Sequence, residues 1–322
     1  MLGKIYGFRL FTNPLKNLSD SDLACRGPVM ECTYLGLDKN MLQCHYSFND
    51  HSELTGPSKL STFSTTLEWI SSWHWTVERV KENDYKDCTL QLYVYFGTSD
   101  IHPHSVEIIK KNFDNVIVPF KYMKNILDKH EIKCEYSDWY TIPYLCDNSM
   151  VIPKQRNPEE IIFFYNDINN PVTNVINMAK VFSKALKGTK HFLIIRSNNL
   201  DNLVKSPNIK CSSESVDITE IIGTYNICDY VVSFSRDTSV YRPILEGKHF
   251  NKPIIAHDQG SYAEMKDENW ITLPSKEVPV VNYNDGKDTD ENSFEFEKVF
   301  YGNWWEIDYE KAEEIIRKLV KT

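Results

Sequence analysis

The sequence predicts an α/β fold of two Rossmann-like domains facing each other across a cleft, and three observations lead to that prediction. Short apolar runs alternate with segments of helical periodicity, which is the βαβ pattern of a parallel, doubly wound sheet. A polar segment over 147–160, with Pro153 and Pro158, interrupts the alternation once. The 322 residues also exceed what one core requires and suit two domains of about 150 residues each.

The first domain is predicted over residues 1–150, and its pattern is clearest after residue 64. Apolar residues recur at three- and four-residue steps over Ser64–Glu82, which predicts a helix. The elements predicted next alternate between strand and helix: Leu90–Phe96, Ser105–Phe113, Val116–Pro119 and Tyr122–His130. Before residue 60, Lys4–Phe11 and Met41–Phe48 have the composition of strands.

The second domain is predicted over residues 151–306 and repeats the alternation. Its predicted strands are Ile161–Tyr165, His191–Ile195, Tyr230–Phe234 and Pro253–Ala256, and its predicted helices are Val172–Leu186, Ile218–Tyr225 and a segment carrying Glu246. The acidic, turn-rich Ser275–Glu297 stretch predicts a surface excursion. Residues 307–322 contain an amphipathic pattern, which predicts a terminal helix docking near the interdomain region.

In a parallel sheet, the loops that leave the carboxyl ends of the strands line the ligand crevice. The loops over Ser235–Tyr241 and His257–Ser261 both follow predicted strands. We therefore expect both loops to face one cleft, with Glu246 beside it.

Composition argues against several classes of protein. The net charge of -9 and the pI near 5.5 argue against broad nucleic-acid binding. The sequence contains neither a signal-peptide pattern nor a run of about 18 apolar residues, so we expect a cytoplasmic protein without a transmembrane segment. The eight cysteines lack the spacing of zinc ligands, and we expect reduced cysteines and no metal site. The motifs GxxxxGK[ST], GxGxxG and GxSxG are also missing, which argues against kinases, dinucleotide-dependent dehydrogenases and α/β-hydrolases.

The stretch Asp229–Glu264 resembles the donor half of GT-B glycosyltransferases, in particular the large retaining family four. The matching segments occur in the family's order and spacing: Val231–Ser235 as a strand, Pro243–Glu246 (PILE), Lys252–Ala256 (KPIIA) and Asp258–Glu264 (DQGSYAE). Similar segments upstream extend the resemblance over about residues 90–274.

This resemblance implies a retaining, metal-independent glycosyltransferase. Such an enzyme needs no cofactor and takes a nucleoside diphosphate sugar as co-substrate, whose sugar it transfers to a hydroxyl of a glycan or other acceptor. The donor would bind the C-terminal domain and the acceptor the N-terminal domain. Two alternatives stay open: a GT-B-fold nucleotide-sugar epimerase and a catalytically silent nucleotide-binding subunit.

Glu246 is the central residue of the predicted donor site, because a carboxylate at a helix start can accept hydrogen bonds from both ribose hydroxyls. The backbone N–H groups of Ser239–Arg242, at the same helix N-terminus, suit a diphosphate or the donor sugar. The remaining donor candidates follow neighbouring predicted strands: Arg196, Arg236, Asp237, Thr238, Ser239, Val240, Tyr241 and Gly260.

At this site the sequence differs from the family pattern in two places. Thr238 stands where the family carries the first of two glutamates. The segment Tyr165–Asn174, where the family carries a basic diphosphate clamp, contains no basic residue. Arg196, Arg236 and Arg242 are the candidate replacements for that clamp, with Lys248 as a further one.

The candidate catalytic residues are Asp100, His102 and Arg242. Asp100 and His102 lie in a loop after a buried strand, where either side chain could deprotonate the acceptor hydroxyl if the enzyme inverts configuration. Arg242 would stabilise the departing diphosphate. His104 and Asp50 are candidates for acceptor binding, although such loops are as typical of a solvated polar surface.

Overall fold

The computed structural model describes residues 60–66, 89–136, 157–166, 173–197, 203–212, 218–238, 242–280 and 301–321. The chain divides into two compact units. The first comprises Met1–Tyr144 and Pro279–Asn303, and the second comprises Leu145–Val278 and Trp304–Thr322. The boundaries predicted at residues 150 and 306 stay predictions, and no sequence pattern indicated that 279–303 groups with the first unit.

The first unit is built on a parallel sheet of four described strands in the order β1-β2-β3-β4. The strands are β1 Leu60–Thr66, β2 Thr89–Tyr95, β3 Asn115–Val118 and β4 Cys134–Tyr136. Helix α1, Pro103–Asn112, connects β2 to β3, and α2, Lys121–Lys129, connects β3 to β4. The helix α2 is amphipathic, with Met123, Ile126 and Leu127 buried on one face.

The sequence prediction is wrong at the start of this unit. Ser64–Thr66 belong to β1, which pairs in parallel with β2, and not to the helix predicted from Ser64. The segment LSTFSTT is rich in threonine and serine, and threonine favours strands, whereas the helical spacing of apolar residues begins only at Leu67. The remainder of that predicted helix lies outside the described residues, as do Lys4–Phe11 and Met41–Phe48.

The second unit is built on a six-stranded parallel sheet in the order β10-β9-β8-β5-β6-β7. Its strands are β5 Ile162–Asn166, β6 Phe192–Arg196, β7 Ile209–Ser212, β8 Tyr230–Val232, β9 Ile254–Ala256 and β10 Trp270–Thr272. Its helices are α3 Val175–Ala185, α4 Ile218–Ile227, α5 Arg242–His249 and α6 Ser261–Met265. Read from one edge, this is the strand order of the Rossmann fold, so the predicted doubly wound sheet is confirmed for this unit.

Aromatic packing on α3 holds the centre of this sheet in place. Phe163 of β5 contacts Phe182 of α3 with ring centroids 5.0 Å apart, and Phe182 also packs on Phe234, which follows β8. All three side chains are completely buried. Burial on this scale contributes about 2 kcal/mol for each side chain, and it fixes the carboxyl ends of β5 and β8 beside each other.

The last elements of the chain are a two-stranded sheet and a helix. Strand β11, Ser275–Pro279, forms a two-stranded sheet with β12, Asn303–Ile307. The sequence did not predict this strand, but none of its five residues is buried, which agrees with the predicted position at the surface. The rest of that stretch, from 281 to 297, lies outside the described residues. The predicted terminal helix is present as α7, Tyr309–Leu319, and packs on α3 of the second unit. No helix in the described part of the chain is both long and apolar enough to cross a membrane.

Candidate functional site

The candidate site lies at the carboxyl ends of β5, β6, β8 and β9 in the second unit. The strand order reverses between β5 and β8, since β6 and β7 extend the sheet on one side and β9 and β10 on the other. Ligands of open α/β sheets bind outside the carboxyl ends of the strands at such a switch point. Buried polar side chains concentrate on these strand ends and the segments after them: Asn166, Ser197, Ser235, Asp237, Thr238, Glu246, His257 and Ser261.

Glu246 is the centre of a buried hydrogen-bond network. Its Oε2 accepts a hydrogen bond from the Tyr225 hydroxyl at 2.5 Å and another from Asn166 Nδ2 at 3.4 Å. Asn166 Oδ1 accepts in turn from Arg196 Nη1 at 3.0 Å. We refer to Glu246, Tyr225, Asn166 and Arg196 as the Glu246 network. It brings two of the predicted donor-site residues, Glu246 and Arg196, to the two sides of one amide.

The fold explains why these four residues meet. Asn166 and Arg196 are the last residues of β5 and β6 and lie opposite each other in the register. Tyr225 is completely buried on α4, where its ring stacks on Phe250 with centroids 5.3 Å apart. Its hydroxyl is thereby held in one position, and Glu246 reaches it from α5. Glu246 itself has no exposed area, so in this conformation its carboxylate is closed to solvent.

Arg236 belongs to a different group of contacts. Its Nε donates a hydrogen bond to Glu306 of β12, and its guanidinium lies 5.4 Å from the centre of the Trp304 ring. The Arg236 carbonyl accepts from the Trp305 N–H at 3.1 Å. Glu306 also accepts a hydrogen bond from the Tyr309 hydroxyl at the start of α7. These contacts fasten the loop after β8 to the C-terminal segment, and a role of Arg236 in binding phosphate stays a prediction.

Lys248, a further candidate for binding the diphosphate, also has partners within the folded chain. Its Nζ contacts Asp267 Oδ2 at 2.6 Å and the Met265 carbonyl. A role of Lys248 in binding phosphate stays a prediction.

Thr238 is packed too tightly for the carboxylate that the resembling family has at this position. Thr238 is completely buried, and its Oγ1 accepts a hydrogen bond from the Ser261 N–H at 3.3 Å. Gly260 lies against it with φ +57, and a Cβ at that glycine would be 2.1 Å from Thr238 Oγ1. A glutamate in place of Thr238 would have to displace this loop.

The other predicted donor residues lie nearby along the chain. Asp237 is 7% exposed, and its carbonyl accepts from Ser235 Oγ at 3.0 Å. Arg242 is the first residue of α5, but the position of its side chain is outside the described part of the structure. Ser239, Val240 and Tyr241 also lie outside the described residues.

His257 joins the loops after β8 and β9. It is completely buried, with Nε2 donating to the Ser235 carbonyl at 2.9 Å and Nδ1 accepting from the Gln259 N–H at 3.2 Å. Its ring stacks on Tyr262 with centroids 4.9 Å apart. Burial lowers the pKa of His257 from 6.5 to about 4, although the bond to Ser235 opposes this effect. The imidazole is therefore neutral at pH 7, with its proton on Nε2.

Stability is expected to fall as the pH drops from about 6.5 to 4. In that window the unfolded chain binds a proton at His257 and the folded chain does not, so acidification favours unfolding. The full contribution, about 3 kcal/mol, is present above pH 6.5 and is lost progressively down to pH 4. Urea unfolding at pH 7, 6, 5 and 4.5 measures it. His257→Gln, which cannot titrate, should lose less stability over this range, and an equal loss in both proteins would contradict the assignment.

In the first unit, the predicted catalytic residue Asp100 is paired with a histidine. Asp100 Oδ1 lies 2.5 Å from His130 Nε2 and also accepts from the Ile101 N–H at 2.8 Å. The ring of His102 meets Tyr301 edge-on, with centroids 5.2 Å apart. The side chain of His104 and all of Asp50 lie outside the described structure. The catalytic and acceptor-binding roles of these residues stay predictions.

Sequence reasoning missed Asn166 and Tyr225 of the candidate site, and it also missed His130, the partner of Asp100 in the first unit. Asn166 had a usable signal, because it follows the predicted strand Ile161–Tyr165 and so had to lie at the carboxyl edge of the sheet. Tyr225 and His130 had none, since their partners are 21 and 30 residues distant in the chain.

No protein-family model matches the sequence, and the search of curated proteins finds no match. Similarity appears in the comparison of folds. The structure of TarM, a GT-B glycosyltransferase, matches with a TM-score of 0.51 at 12% sequence identity, covering 81% of this chain and 47% of TarM. This chain has the GT-B fold.

Two further GT-B structures match less well. The pneumococcal O-GlcNAc transferase GtfA, in complex with UDP and GlcNAc, matches with a TM-score of 0.48 at 13% identity over 79% of this chain and 56% of its own. Anabaena HepE, in complex with UDP, matches with a TM-score of 0.47 at 11% identity over 66% of this chain and 65% of its own. This chain thus spans about half the length of TarM and under two thirds of the other two. At these identities the similarity establishes the fold alone.

Proposed function

We propose that the protein is a glycosyltransferase that moves a sugar from a nucleoside diphosphate sugar to a hydroxyl of a glycan or other acceptor. The observation that supports it best is the Glu246 network, which places a guanidinium and a carboxylate on opposite sides of one amide at the switch point. A nucleoside diphosphate presents the matching groups, an anionic diphosphate and a ribose diol. GtfA and HepE, which have the same fold, were crystallised with UDP.

In the proposed reaction, the acceptor oxygen forms a bond to the anomeric carbon of the sugar. The bond from that carbon to the diphosphate oxygen breaks, the electron pair leaves with the nucleoside diphosphate, and the proton of the acceptor hydroxyl passes to the departing diphosphate oxygen. Arg196 would bind the diphosphate and stabilise the charge that develops on it. Glu246 would accept hydrogen bonds from the ribose, and because it is completely buried, the groups covering it must move when the nucleotide enters. Retention of configuration, independence of metals and cofactors, and a cytoplasmic location belong to this proposal as expectations from the sequence.

The full-length protein incubated with UDP-, GDP- and ADP-sugars, with and without a panel of glycans, tests this function. Acceptor-stimulated release of free nucleotide, together with a glycosylated product, is the expected result. A new sugar epimer formed without acceptor would indicate the epimerase, and nucleotide binding without turnover would indicate the silent subunit. Binding of none of these nucleotides would refute the proposed function and both alternatives.

Two arginine variants test the contribution of Arg196 to nucleotide binding. Arg196→Met is expected to weaken nucleoside diphosphate binding at least tenfold, because a charge-assisted bond to phosphate is worth about 1.5 to 3 kcal/mol. Arg317→Met is the control, since Arg317 pairs with Glu313 on α7 of the same unit. Equal affinity of the two variants in calorimetric titrations would remove Arg196 from the proposed site.

A further inference from the structure

The contacts of Glu306 resemble those that a protein gives to a bound anion. Arg236 Nε donates a hydrogen bond to Glu306 Oε2, and the Tyr309 hydroxyl donates one to Glu306 Oε1. Both oxygens of the carboxylate therefore accept from different donors. A guanidinium and a hydroxyl are also donors that proteins direct at phosphate oxygens. Glu306 thus holds a set of donors that would suit a phosphate.

The fold places these contacts at the switch point of the six-stranded sheet. Arg236 lies a few residues after β8, and the Tyr309 hydroxyl accepts a hydrogen bond from Asn174 Nδ2 at 2.8 Å. Asn174 is the N-cap residue of α3, the helix that follows β5. The strand order reverses between β5 and β8. The Glu306 carboxylate is therefore held at the edge of the sheet where an open α/β fold binds its ligands.

We propose that Glu306 competes with the diphosphate of the nucleotide for Arg236 and thereby restrains nucleotide binding. This inference rests on the proposed function and adds a regulatory contact to its site. A carboxylate and a phosphate near one guanidinium repel each other, so a diphosphate that binds Arg236 has to displace Glu306. The side chains of Arg236 and Glu306 are 15% and 18% exposed, so neither is sealed in the core and such an exchange is possible.

The exchange requires the movement of one side chain and not of the segment that carries it. The Trp305 N–H donates to the Arg236 carbonyl at 3.1 Å, and the Tyr309 ring stacks on Phe234 with centroids 6.4 Å apart. Neither contact involves the Glu306 carboxylate. Both can therefore hold the C-terminal segment in place while the carboxylate leaves Arg236.

Glu306→Gln is the variant that tests the competition, because glutamine has nearly the same shape and keeps an acceptor for Arg236 but has no charge. Calorimetric titration of the full-length protein with UDP, GDP and ADP, with inorganic diphosphate and with the matching nucleosides measures the effect. For the tightest nucleotide, the variant should bind about fivefold to tenfold more tightly than the wild type, because the diphosphate then displaces a neutral partner. The nucleosides, which lack a phosphate, should bind both proteins equally.

Two further variants show whether the gain in affinity depends on the contact with Arg236. In the background of Arg236→Met, Glu306→Gln should produce no gain, because the guanidinium for which the two anions compete is gone. Glu314→Gln removes the same charge from an exposed position on α7 and should leave the affinity unchanged.

Tyr309→Phe tests the same competition without changing the charge of Glu306. Phenylalanine keeps the ring but lacks the hydroxyl that donates to Glu306 Oε1, so the carboxylate is held less firmly. This variant should bind the nucleotide about twofold more tightly than the wild type. Should Glu306→Gln fail to fold, unchanged affinity of Tyr309→Phe would refute the proposal.

The remaining outcomes separate this inference from the proposed function. If the wild type binds nucleotide and Glu306→Gln binds it equally or more weakly, the competition is overturned and the proposed function stands. A gain that persists in the Arg236→Met background would also overturn the competition, since the charge would then act elsewhere. Binding by Glu306→Gln alone would support both, whereas no binding by the wild type or any variant would remove both.

Discussion

Gly260→Ala is expected to lower the free energy of unfolding by about 3 to 5 kcal/mol. The backbone at Gly260 has φ +57 and ψ -134, a region that side chains with a Cβ rarely adopt, which costs about 1 to 3 kcal/mol. The new Cβ would also lie 2.1 Å from Thr238 Oγ1 inside a closed loop, and such overpacking costs about 1 to 3 kcal/mol more. Urea unfolding monitored by circular dichroism measures the total.

Gly188 offers a matched control for this prediction. It also has a positive φ, +78, but a Cβ there would meet no atom within 4 Å. Gly188→Ala should therefore show the backbone cost alone, about 1 kcal/mol. Adding Thr238→Ala to Gly260→Ala removes the clashing hydroxyl and should restore part of the lost stability. Equal losses for the two glycine variants, or no recovery in the double variant, would contradict the packing described for this loop.

Glu246→Ala is expected to weaken nucleoside diphosphate binding by about 1.5 to 3 kcal/mol and also to reduce stability by about 3 kcal/mol. Binding suffers because the carboxylate that the ribose would use is lost. Stability suffers because the buried Tyr225 hydroxyl and Asn166 amide lose their common acceptor. Calorimetric titration with UDP, GDP and ADP and urea unfolding measure the two effects separately.

Two variants separate these effects further. Glu246→Gln keeps an acceptor for Tyr225 and a similar shape, so we expect it to retain most of the stability and still to bind nucleotide more weakly. Glu268→Ala removes an exposed carboxylate of the same unit and should change neither quantity. Wild-type nucleotide affinity of a folded Glu246→Gln variant would show that Glu246 holds the fold together without contacting the ligand.

Strands and helices were predicted correctly where the apolar pattern of the segment itself identified them. Buried strands such as β5, Ile162–Asn166, are continuous apolar runs and were recognisable, as was the amphipathic α7. Strands β7, Ile209–Ser212, and β10, Trp270–Thr272, were missed, because they are edge strands of three or four residues that are only partly buried. Their pairing comes from the neighbouring strand and not from a periodicity of their own.

The sequence by itself determined the α/β class, the repeated βαβ pattern and the placement of Glu246 and Gly260 after strands that end at one edge of a sheet. Only the tertiary structure decided the partners: Asn166 meets Glu246 across 80 residues of chain, and Arg236 meets Glu306 across 70. Periodicity and turn signals act over a few residues, whereas these contacts depend on the strand order and on which helix covers which strand. That is why the sequence could indicate where a ligand would bind, while the structure was needed to distinguish Arg196, beside Glu246, from Arg236, which fastens the C-terminal segment.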